Sequence, residues 1–546
     1  MDTNLQTRES LPRVWLRTAK EKGNQVGLMD SGTASLSYAK LLTATLAFSQ
    51  RLNPILQNQQ NIGILLPPTA GGVIANFAAL ILGKTVVNLN YTSSLEIVKS
   101  CMKRAEIRTV LSSQRFFEKL EARGMDLSPL REQVDILYLE DVKNEISKAR
   151  LAFTMFQVKL FPLSLLHSLY CKETKADDVA VILFSSGSEG MPKGIQLTHF
   201  NILSNVKQAH YLLDPQDDDV MLSSLPLFHA FGLTVTTFLP LLAGIPMVCQ
   251  PDPTDAKVVG NLISQHNVSI LCGTSTFLRM YTRHPKVLPE MFESLRLVIA
   301  GAERVHAEVR HGFKEKFQKE IYEGYGATEM SPVISCNLPH SRLRSLTAKE
   351  GQKIGSVGMP LPETLVKIVN PETLEDLPVG EAGLILITGP QLMKGYLNDE
   401  AKTQEVLIEK AGRRWYKSGD KGKIDEDGFV TIIDRYSRFA KLGGEMISLT
   451  AIEEQISQII HESDVEITAT SIPDSSKGEK IVLLIAGNME IETIQEHIFQ
   501  SGMNPLTKPK QYLKVEEIPK LGSGKKDFAG IKSLAIGLLE KARLPE

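Results

Sequence analysis

The sequence contains little cysteine and almost no net charge. Its five cysteines among 546 residues are an odd number, lie far apart and include no CxxC pair. Disulfide frameworks and structural zinc sites need paired, closely spaced cysteines, so neither is predicted, and a reducing, cytoplasmic compartment is expected. The formal net charge of -2 lacks the basic excess typical of nucleic-acid-binding proteins, so no nucleic acid is expected as a partner.

Long, uninterrupted apolar runs are also missing. The first 17 residues carry charges and have no apolar segment of signal-peptide length, so secretion is not expected. The longest uncharged stretch, 221–251, is long enough for a membrane span, which needs about 20 apolar residues. Prolines interrupt it, and a buried helix and strand are therefore predicted there instead.

An apolar segment at 151–170 has two interpretations. It is rich in Phe and Leu, contains Lys159, follows the basic residues Lys148 and Arg150, and is broken at Pro162. A core helix with a solvated basic flank fits this pattern, because apolar segments are usually buried. A pair of interfacial helices on a membrane surface fits it too. Both remain open, and with them the choice between a cytoplasmic protein and one bound peripherally to the cytoplasmic face of a membrane.

Short apolar runs that alternate with helical periodicity predict an α/β fold with layered, mostly buried sheets. A chain of 546 residues is too long for a single hydrophobic core. The strand-like runs lie at 61–66, 179–183, 295–300, 383–387, 428–433 and 480–486.

A break near Arg435 predicts two domains. Residues 1–435 would form a large N-terminal domain, and residues 436–546 a small, mobile α+β C-terminal domain. Near the start of the smaller domain, Thr450 and Glu453 have the spacing of a capping box, which predicts that a helix begins there.

The segment Phe184–Gly194 is the most informative motif. It is rich in Gly and Ser, carries Lys193 before its last glycine, and directly follows a strand-like run. Backbone N–H groups and hydroxyls in such a loop can surround an anion while the ammonium group closes over it, which predicts a phosphate-binding site. Because the lysine precedes the glycine, the loop is not a Walker A sequence. Its position after a strand is where open α/β sheets bind ligands.

Four further segments follow the loop: Ala300–Glu303, Glu323–Glu329, Tyr416–Asp420 and Pro519–Lys525. In this order and spacing, the set resembles the adenylate-forming superfamily of acyl-CoA synthetases, luciferases and peptide-synthetase adenylation domains, over nearly the whole chain. Enzymes of that family join a carboxylate to AMP with release of pyrophosphate, and the mixed anhydride then acylates a thiol. The resemblance implies ATP and Mg²⁺ as cofactors and a C-terminal domain that swings between the two half-reactions.

The resemblance also implies nucleotide-binding roles. Thr328 would contact phosphate, Glu329 would bind Mg²⁺ through oxygen, and Asp420, assisted by Arg435, would accept both ribose hydroxyls. The residues that would surround the phosphates are Ser185, Ser186, Gly187, Ser188, Gly190 and Lys193. Those that would line the adenine site are Gly301, Ala302, Glu303, Glu323, Gly324, Tyr325 and Gly326. For the tyrosine, packing in the core is the alternative to stacking near the base.

Catalytic and hinge residues follow from the same resemblance. Lys525, in a flexible loop of Gly and Ser, would bridge the substrate carboxylate and the α-phosphate and stabilise the charge that grows in the transition state. His229 would lie near the carboxylate at the acyl end, although a histidine among apolar residues is also typical of a core position. Ser437 falls at the hinge, and Gly443 and Gly444 would form the loop that serves thioester formation.

Glu189 points to one branch of the family. Most relatives have threonine there, and an acid beside phosphates is unfavourable by like-charge repulsion unless it points away. With this glutamate, the strings FSSGSEGMPKG, EGYGATEMSPV, RFAKLGGEMISL and PKLGSGKKDF look closest to the acyl-acyl carrier protein synthetase part of bacterial 2-acylglycerophosphoethanolamine acyltransferase/synthetases. None of the eleven histidines is followed five residues later by aspartate, so the HxxxxD acyltransferase motif is absent and a separate acyltransferase is expected as a partner.

A basic segment near the C-terminus suggests where a carrier protein docks. Residues 505–533 contain seven lysines against three acids, a local excess of +4. With Arg438, these lysines could attract the strongly acidic acyl carrier protein. The predicted function is therefore ATP-dependent activation of a medium- or long-chain fatty acid and its transfer to acyl carrier protein. The alternatives are CoA as the acceptor, whose phosphates could use the same lysines, and a non-catalytic acyl-AMP-binding or lipid-scaffold protein.

Overall fold

The computed structural model describes residues 8–30, 33–185, 192–339, 351–442, 445–460, 465–474, 478–505, 507–520 and 526–541. The fold is α/β, as predicted. Each of the six strand-like runs contains a strand, and most of their apolar side chains are buried. The strands in chain order are β1 (Val26–Asp30), β2 (Thr33–Ser37), β3 (Asn61–Ile64), β4 (Thr85–Asn88), β5 (Thr109–Ser112), β6 (Asp135–Tyr138), β7 (Val179–Ser185), β8 (Lys193–Thr198), β9 (Met221–Ser223), β10 (Met247–Cys249), β11 (Ile270–Gly273), β12 (Leu297–Ala300), β13 (Ile321–Gly326), β14 (Val333–Cys336), β15 (Met359–Pro360), β16 (Leu365–Val369), β17 (Gly383–Thr388), β18 (Gly395–Tyr396), β19 (Leu407–Lys410), β20 (Arg413–Ile424), β21 (Val430–Arg435), β22 (Phe439–Leu442), β23 (Glu445–Ser448), β24 (Glu466–Asp474), β25 (Gly478–Ala486) and β26 (Gln511–Lys514).

Helices separate most of these strands. In chain order they are α1 (Leu11–Lys22), α2 (Tyr38–Leu56), α3 (Ala70–Ile81), α4 (Leu95–Arg104), α5 (Gln114–Ala122), α6 (Ser128–Arg131), α7 (Leu139–Asn144), α8 (Lys148–Leu160), α9 (Leu163–Tyr170), α10 (His199–Leu213), α11 (Leu239–Ala243), α12 (Ala256–Gln265), α13 (Ser275–Arg283), α14 (Ala307–Phe317), α15 (Glu400–Val406), α16 (Leu449–Ile460), α17 (Ile491–Gln500) and α18 (Phe528–Lys541). A π-helix spans Phe231–Phe238, and short 3₁₀ helices span Pro289–Phe292, Thr328–Met330 and Tyr436–Arg438.

Two large sheets form the N-terminal part of the chain. One has nine strands in the order β15-β14-β13-β12-β11-β9-β10-β1-β2, and the other has seven in the order β18-β8-β7-β4-β3-β5-β6. In both, the central strands are parallel. Both edges of the nine-stranded sheet are antiparallel, whereas the seven-stranded sheet is antiparallel at its β18–β8 edge and parallel at its β6 edge. Parallel strands end at one common edge, so the loops that follow β11, β12 and β13 lie side by side.

One hydrophobic core joins the helices and strands of both large sheets. At its centre, the rings of Trp15 and Phe77 stack with centroids 4.8 Å apart, and Phe77 contacts Phe238 at 5.3 Å. All three side chains are fully buried. The uncharged stretch 221–251 supplies β9, the π-helix, α11 and β10 to this core, which confirms the prediction of a buried helix and strand.

Two smaller sheets follow in the chain. An antiparallel sheet of order β16-β17-β20-β19, with β21 paired to β20, precedes Tyr436. The last five strands of the chain form a separate sheet of order β23-β22-β25-β24, with β26 parallel to β25. The helices α16, α17 and α18 pack against this sheet. The boundary at 435/436 remains a prediction, and it falls between these two sheets.

The predicted capping box of α16 is wrong. The helix begins at Leu449, and the hydroxyl of Ser448 accepts from the N–H of Ala451 at 3.1 Å. The hydroxyl of Thr450 instead donates to Asp434 at 3.0 Å. Glu453 accepts from the N–H of Ala469 at 2.7 Å, so tertiary partners have replaced the local motif.

The segment 151–170 folds as the two helices α8 and α9, broken at Pro162 as predicted. Neither is fully buried. One face of the pair packs on the core through residues such as Val158 and Leu166, while large apolar side chains on the other face are exposed. Among the described residues, no helix is both long enough and apolar enough to cross a membrane.

Candidate nucleotide site

The predicted phosphate loop connects two antiparallel strands. β7 and β8 pair so that Ser185 lies opposite Lys193, and both side chains are half-buried at the mouth of the hairpin. Arg104 fixes the exit of the loop by donating to the carbonyl of Pro192 at 3.2 Å and pairing with Asp399 at 3.0 Å. The other loop residues of the prediction lie outside the described residues: Ser186, Gly187, Ser188, Glu189 and Gly190.

Glu329 is connected to this hairpin through a tyrosine that the sequence did not reveal. The hydroxyl of Tyr396 donates to Oε1 of Glu329 at 2.9 Å. The ammonium of Lys193 lies 5.6 Å from the centroid of the same ring, within the range of a cation–π contact. Tyr396 stands on the two-residue strand β18, which pairs with β8, and the N–H of Met393 just before it donates to the carbonyl of Glu329 at 2.8 Å.

The surroundings of Tyr396 keep its hydroxyl protonated, so that it can donate a hydrogen bond. Burial raises the pKa of its hydroxyl, and the adjacent Glu329 carboxylate raises this pKa further. A protonated hydroxyl can donate to the carboxylate, whereas a phenolate would repel it. Thr328 precedes Glu329 in a single 3₁₀ turn and is half-buried, so the predicted phosphate-contacting and metal-binding residues lie together.

Glu329 suits a magnesium ion that also contacts phosphate. The ion usually takes one or two carboxylates and completes its shell with phosphate oxygens and water. Glu329 is a half-buried carboxylate with one oxygen oriented by the Tyr396 hydroxyl, and the Lys193 ammonium lies 5.6 Å from the centroid of the Tyr396 ring. A carboxylate and an ammonium therefore lie near the strand ends that flank the glycine-rich segment, a grouping that is compatible with a magnesium–nucleotide complex.

The predicted adenine-site segments lie at the common edge of the parallel strands. Gly301, Ala302 and Glu303 directly follow β12, while Glu323, Gly324, Tyr325 and Gly326 form the end of β13, and Ala300 pairs with Glu323. Ala302 adopts a left-handed backbone conformation, with φ of 74°. The Glu303 carboxylate accepts a hydrogen bond from the N–H of Thr276 at the start of α13. This bond connects the loop after β12 with the segment after β11.

Glu323 is directed into the protein. Its side chain is buried and pairs with Arg310 of α14, and its carbonyl accepts from the N–H of Asn337 at 2.8 Å. Burial raises the pKa of the Glu323 carboxyl, and the Arg310 guanidinium opposes that rise. The carboxylate therefore holds β13 against α14, which was not apparent in the sequence.

Asp420 and Arg435 form a cross-strand pair. They lie opposite each other in β20 and β21, and Nε of Arg435 approaches Oδ1 of Asp420 at 3.3 Å. The hydroxyl of Tyr325 donates to the other carboxylate oxygen, Oδ2. Burial raises the pKa of Tyr325 well above its usual value, and the Asp420 carboxylate adds to the shift, so the tyrosine remains a donor.

The backbone around Asp420 is fixed by a serine. The hydroxyl of Ser418 accepts from the N–H of Asp420 at 3.0 Å and donates to the carbonyl of Ile385 at 2.9 Å. The Asp420 side chain is 7% exposed, whereas that of Arg435 is 67% exposed. The structure thus brings together Tyr325, Asp420 and Arg435, three residues that are up to 110 positions apart in the sequence.

His229 lies at the entrance of the π-helix. Its ring is half-buried and packs against Phe228, with centroids 4.6 Å apart. Phe231, two residues later, packs against Gly301, where an added Cβ would lie 3.3 Å from the phenyl ring. The histidine segment therefore adjoins the segment after β12, and Gly301 permits that close approach.

The loop that carries Lys525 lies outside the described residues, but its two ends are described. Lys520 forms an antiparallel bridge with Lys526. The ammonium of Lys520 pairs with Glu466 at 2.8 Å, and that of Lys526 donates to the carbonyl of Ile467 at 2.8 Å and approaches Glu453 at 3.3 Å. Both ends of the loop are thereby anchored to β24 and α16.

Arg438 cannot serve as a docking residue for a carrier protein, contrary to the prediction. Its side chain is only 6% exposed and pairs with Glu453 at 2.7 Å. It also donates to the carbonyl of Ala469 at 2.7 Å, and its guanidinium lies 4.1 Å from the centroid of the Phe528 ring. Ser437, the predicted hinge, sits in the 3₁₀ turn before it, and Gly443 and Gly444 lie outside the described residues.

An ion pair connects the loop after β12 with the C-terminal sheet unit. Arg304, the neighbour of Glu303, pairs with Glu454 on α16. Both partners are solvent-accessible, with 53% and 36% of their side chains exposed. Because exposed pairs contribute little stability, this contact can form and break at small cost.

Glu329 and Lys193 contact one tyrosine, and Asp420 pairs with Arg435 and accepts from Tyr325 at the end of β13, an arrangement that suits a nucleotide-binding ligase of the adenylate-forming class. Comparison with known proteins agrees. The family model described as AMP-binding enzyme matches residues 15–397, and the chain belongs to that family. The predicted use of ATP and Mg²⁺ is confirmed at the level of this family.

Curated relatives span most of the chain. A long-chain-fatty-acid–CoA ligase of Bacillus subtilis (strain 168) is 28% identical over 493 residues, which covers 86% of this chain and 84% of the relative. A protein of the same name from Salmonella typhimurium is 27% identical over 542 residues, covering 95% and 93%. A probable 4-coumarate–CoA ligase 2 of Dictyostelium discoideum is 30% identical over 460 residues, covering 81% and 80%.

Solved structures share the fold. ATP-bound MatB from Rhodopseudomonas palustris superposes with a TM-score of 0.79 at 20% identity, covering 98% of this chain and 100% of that one. The o-succinylbenzoate coenzyme A synthetase MenE of Bacillus subtilis, in complex with ATP and magnesium ion, superposes with a TM-score of 0.77 at 21% identity, covering 96% and 100%. These likenesses establish the architecture.

Proposed function

We propose that this adenylate-forming ligase activates a medium- or long-chain fatty acid as acyl-AMP and transfers the acyl group to the phosphopantetheine thiol of acyl carrier protein. The observation that carries the activation step is the connection of Lys193, Tyr396 and Glu329 at the mouth of the β7–β8 hairpin. It groups an ammonium and an oriented carboxylate beside a glycine-rich sequence of the kind that binds phosphates through backbone N–H groups. The named fatty-acid ligases among the relatives support a fatty acid as substrate.

The proposed roles follow from charge and position. Bound Mg²⁺ would neutralise phosphate charge and polarise the P–O bonds. Glu329, oriented by Tyr396, would hold that ion, and Lys193 and Ser185 would contact the phosphates together with Ser186, Gly187, Ser188, Gly190 and Thr328. Asp420 and Arg435 hold the ribose, and the segments at 301–303 and 323–326 line the adenine. His229 lies toward the acyl carboxylate.

Lys525 is proposed as the residue that stabilises the adenylation transition state. Its ammonium would bridge the carboxylate and the α-phosphate, where negative charge grows. Its loop belongs to the proposed mobile domain of residues 436–546, and the anchored ends at Lys520 and Lys526 would carry it as one piece. Domain rotation would remove the lysine for the second step and bring the segment around Gly443 to the thiol.

The test separates the two half-reactions. Lys525→Ala should abolish palmitate-dependent pyrophosphate release and yet transfer acyl groups from preformed palmitoyl-AMP at close to the normal rate. Lys541→Ala, an exposed lysine at the end of α18, is the matched control. Unimpaired adenylation by Lys525→Ala would refute the role of the lysine. No pyrophosphate release by the unaltered enzyme with any fatty acid would favour a non-catalytic acyl-AMP-binding or lipid-scaffold protein.

Acyl carrier protein is the proposed acceptor, and CoA is the second candidate because the curated relatives are named as CoA ligases. Exposed lysines at 510, 514 and 532 remain available to an acidic partner although Arg438 does not. A two-acceptor thioesterification assay with acids from C8 to C18 distinguishes them. Lys510→Glu with Lys532→Glu should lower kcat/KM for carrier protein about tenfold and flatten its salt dependence, because rim charges act mainly on association.

The matched control is Lys257→Glu with Lys286→Glu, two exposed lysines of the N-terminal part. Efficient turnover of CoA and none of carrier protein would reject the carrier-protein proposal. In a cell, the acylated carrier protein would supply acyl groups to a separate acyltransferase. The enzyme would work in the cytoplasm, in part on the cytoplasmic face of a membrane through residues 151–170. That location fits a substrate that partitions into lipid.

A further inference from the structure

Large apolar side chains are concentrated on the outward faces of α8 and α9. Phe153, Phe156 and Leu160 of α8 are 51%, 52% and 65% exposed, and Leu165 and Leu169 of α9 are 40% and 51% exposed. The spacings of three and four residues place each set on one side of its helix. The rings of Phe153 and Phe156 lie parallel with centroids 6.5 Å apart, and Phe156 meets Phe161 edge-on at 6.4 Å. We call these five exposed residues the apolar patch.

The opposite faces of both helices are firmly packed. Thr154, Gln157 and Val158 of α8 are buried, as are Leu166 and Tyr170 of α9. The hydroxyl of Tyr170 donates to Gln157 and ties the two helices together. The patch is therefore held outward by a fixed scaffold, and it does not result from loose packing of the pair.

Positive charge surrounds the patch. The segment 143–170 contains four basic residues, Lys143, Lys148, Arg150 and Lys159, against the single acid Glu145. Glu145 is itself paired with Arg51. Lys148 and Lys159 are exposed and eleven residues apart, which returns them to the same side of α8 after about three turns. That side borders the line of Phe153, Phe156 and Leu160.

We propose that the outward faces of α8 and α9 dock the enzyme on an anionic lipid bilayer. This proposal rests on the proposed action at a membrane, and it adds which surface binds and which lipid charge it prefers. The helices lie along the bilayer surface, with the apolar patch between the head groups and Lys148 and Lys159 on their phosphates. With 13 and 8 residues, they extend only about 20 Å and 12 Å, too short to cross the bilayer.

Charge complementarity selects a lipid surface over a second copy of the chain. Two copies joined through this patch would bring Lys148 and Lys159 of one close to the same lysines of the other, which repel each other. Anionic head groups neutralise them instead. Several exposed phenylalanine and leucine side chains beside lysines are also the composition of interfacial helices.

The experiment is flotation of the full chain with two kinds of vesicle, phosphatidylcholine alone and phosphatidylcholine mixed with phosphatidylglycerol. The unaltered protein should bind the mixed vesicles at least about tenfold more strongly, since each basic residue near an anionic surface contributes appreciably. Phe156→Ser with Leu160→Ser should lower binding to the mixed vesicles about tenfold or more. Lys148→Gln with Lys159→Gln should remove most of the preference for anionic vesicles.

Matched controls lie elsewhere on the surface. Phe499→Ser with Val379→Ser replaces side chains that are 79% and 66% exposed, and Lys257→Gln with Lys286→Gln removes two exposed charges. Neither pair should change binding. Equal binding by the Phe156/Leu160 variant and the unaltered protein, or a dimer in light scattering that only this variant disrupts, would overturn the proposal.

An assay of ligase activity distinguishes failure of the docking proposal from failure of the proposed function. With octanoate and no vesicles, the patch variants should release pyrophosphate at the rate of the unaltered enzyme, because the helices that carry the patch are remote from Glu329 in the chain and pack on α1 and α2. Vesicle binding without ligase activity would reject the proposed function alone. Ligase activity without vesicle binding would reject the docking surface alone.

Discussion

The hydroxyl of Tyr396 donates to Oε1 of Glu329 at 2.9 Å, while Lys193 lies over the face of the same ring, 5.6 Å from its centroid. One side chain thus contacts both a predicted metal-binding carboxylate and a predicted phosphate-binding ammonium. It does so with two different parts, the hydroxyl and the ring. The hydroxyl contact can therefore be removed while the ring contact is retained.

Tyr396→Phe should remove the hydroxyl contact and retain the ring. Hydrogen bonds to charged groups contribute about 1.5–3 kcal/mol, so kcat/KM for ATP should fall at least about tenfold, with a higher requirement for Mg²⁺. Tyr396→Leu should cost roughly a further two- to fivefold because the cation–π contact is lost as well. Tyr211→Phe, at a 44% exposed tyrosine, is the control. Equal Mg²⁺ dependence in all four proteins would contradict the positioning role.

Asp420→Asn should weaken nucleotide binding and remove discrimination between ATP and 2′-deoxy-ATP. A carboxylate that accepts from both ribose hydroxyls loses one strong hydrogen bond with the deoxy analogue, so the unaltered enzyme should prefer ATP by about tenfold in kcat/KM. The amide accepts at one oxygen only. Asp376→Asn, at an exposed carboxylate paired with Lys367, provides a control that should keep the preference. If Asp420→Asn keeps it too, the ribose assignment is wrong.

Glu466→Gln should slow adenylation without slowing thiol transfer. Glu466 pairs with Lys520 at one end of the loop that carries Lys525, and the pair is exposed, at 34% and 39% of the two side chains. A pair of this kind contributes at most about 1 kcal/mol, so the rate of acyl-AMP formation should fall two- to fivefold. Glu121→Gln breaks a similarly exposed pair with Arg131 and should change neither rate. Equal slowing of both half-reactions would argue for a general loss of stability instead.

His199 makes the fold sensitive to acid. Its ring is 2% exposed, its Nδ1 accepts from the N–H of Leu11 at 3.2 Å, and burial lowers its pKa to about 4 from the usual 6.5. The unfolded chain takes up the proton first, so the stabilising effect is complete above pH 6.5 and is lost as the pH falls toward 4. Between pH 7.5 and 5 the loss amounts to about 2 kcal/mol.

His199→Asn should retain an acceptor for Leu11 and remove this proton linkage. Its melting temperature should drop less than that of the unaltered protein when the pH changes from 7.5 to 5. His311→Asn, whose ring is 83% exposed, should behave like the unaltered protein. Identical pH-dependent shifts in all three would contradict the assignment to His199.

Features that depend on local sequence were predictable. The strands β3, β7, β12, β17 and β25 lie in apolar runs, because burial on both faces needs apolar residues throughout, and β21 overlaps such a run although most of its residues are only half-buried. The break at Pro162 was predictable too, since proline cannot continue a helix. The grouping of Asp420 with Arg435 followed from the family resemblance, and the register of β20 and β21 accounts for it.

Features that depend on distant pairing were not predictable. Tyr396 stands on a two-residue strand whose position is set by β8, some 200 residues earlier, so no local pattern connects it with Glu329. For Thr450 and Glu453, a local pattern was present but did not predict the contacts. Their spacing fits a capping box, but Asp434 and Ala469 offer partners that only the folded chain brings close. Arg438 was assigned to the surface for the same reason, because its buried partners lie on other elements.

The setting of Asp420 affects how a nucleotide first arrives. A bare buried carboxylate would repel ATP, which is itself a polyanion. Here Arg435 neutralises the charge and Tyr325 occupies the second oxygen, so an approaching nucleotide meets no net negative potential at this position. The ribose hydroxyls then replace existing hydrogen-bond partners of the Asp420 carboxylate, so water need not be removed from the carboxylate when the nucleotide binds.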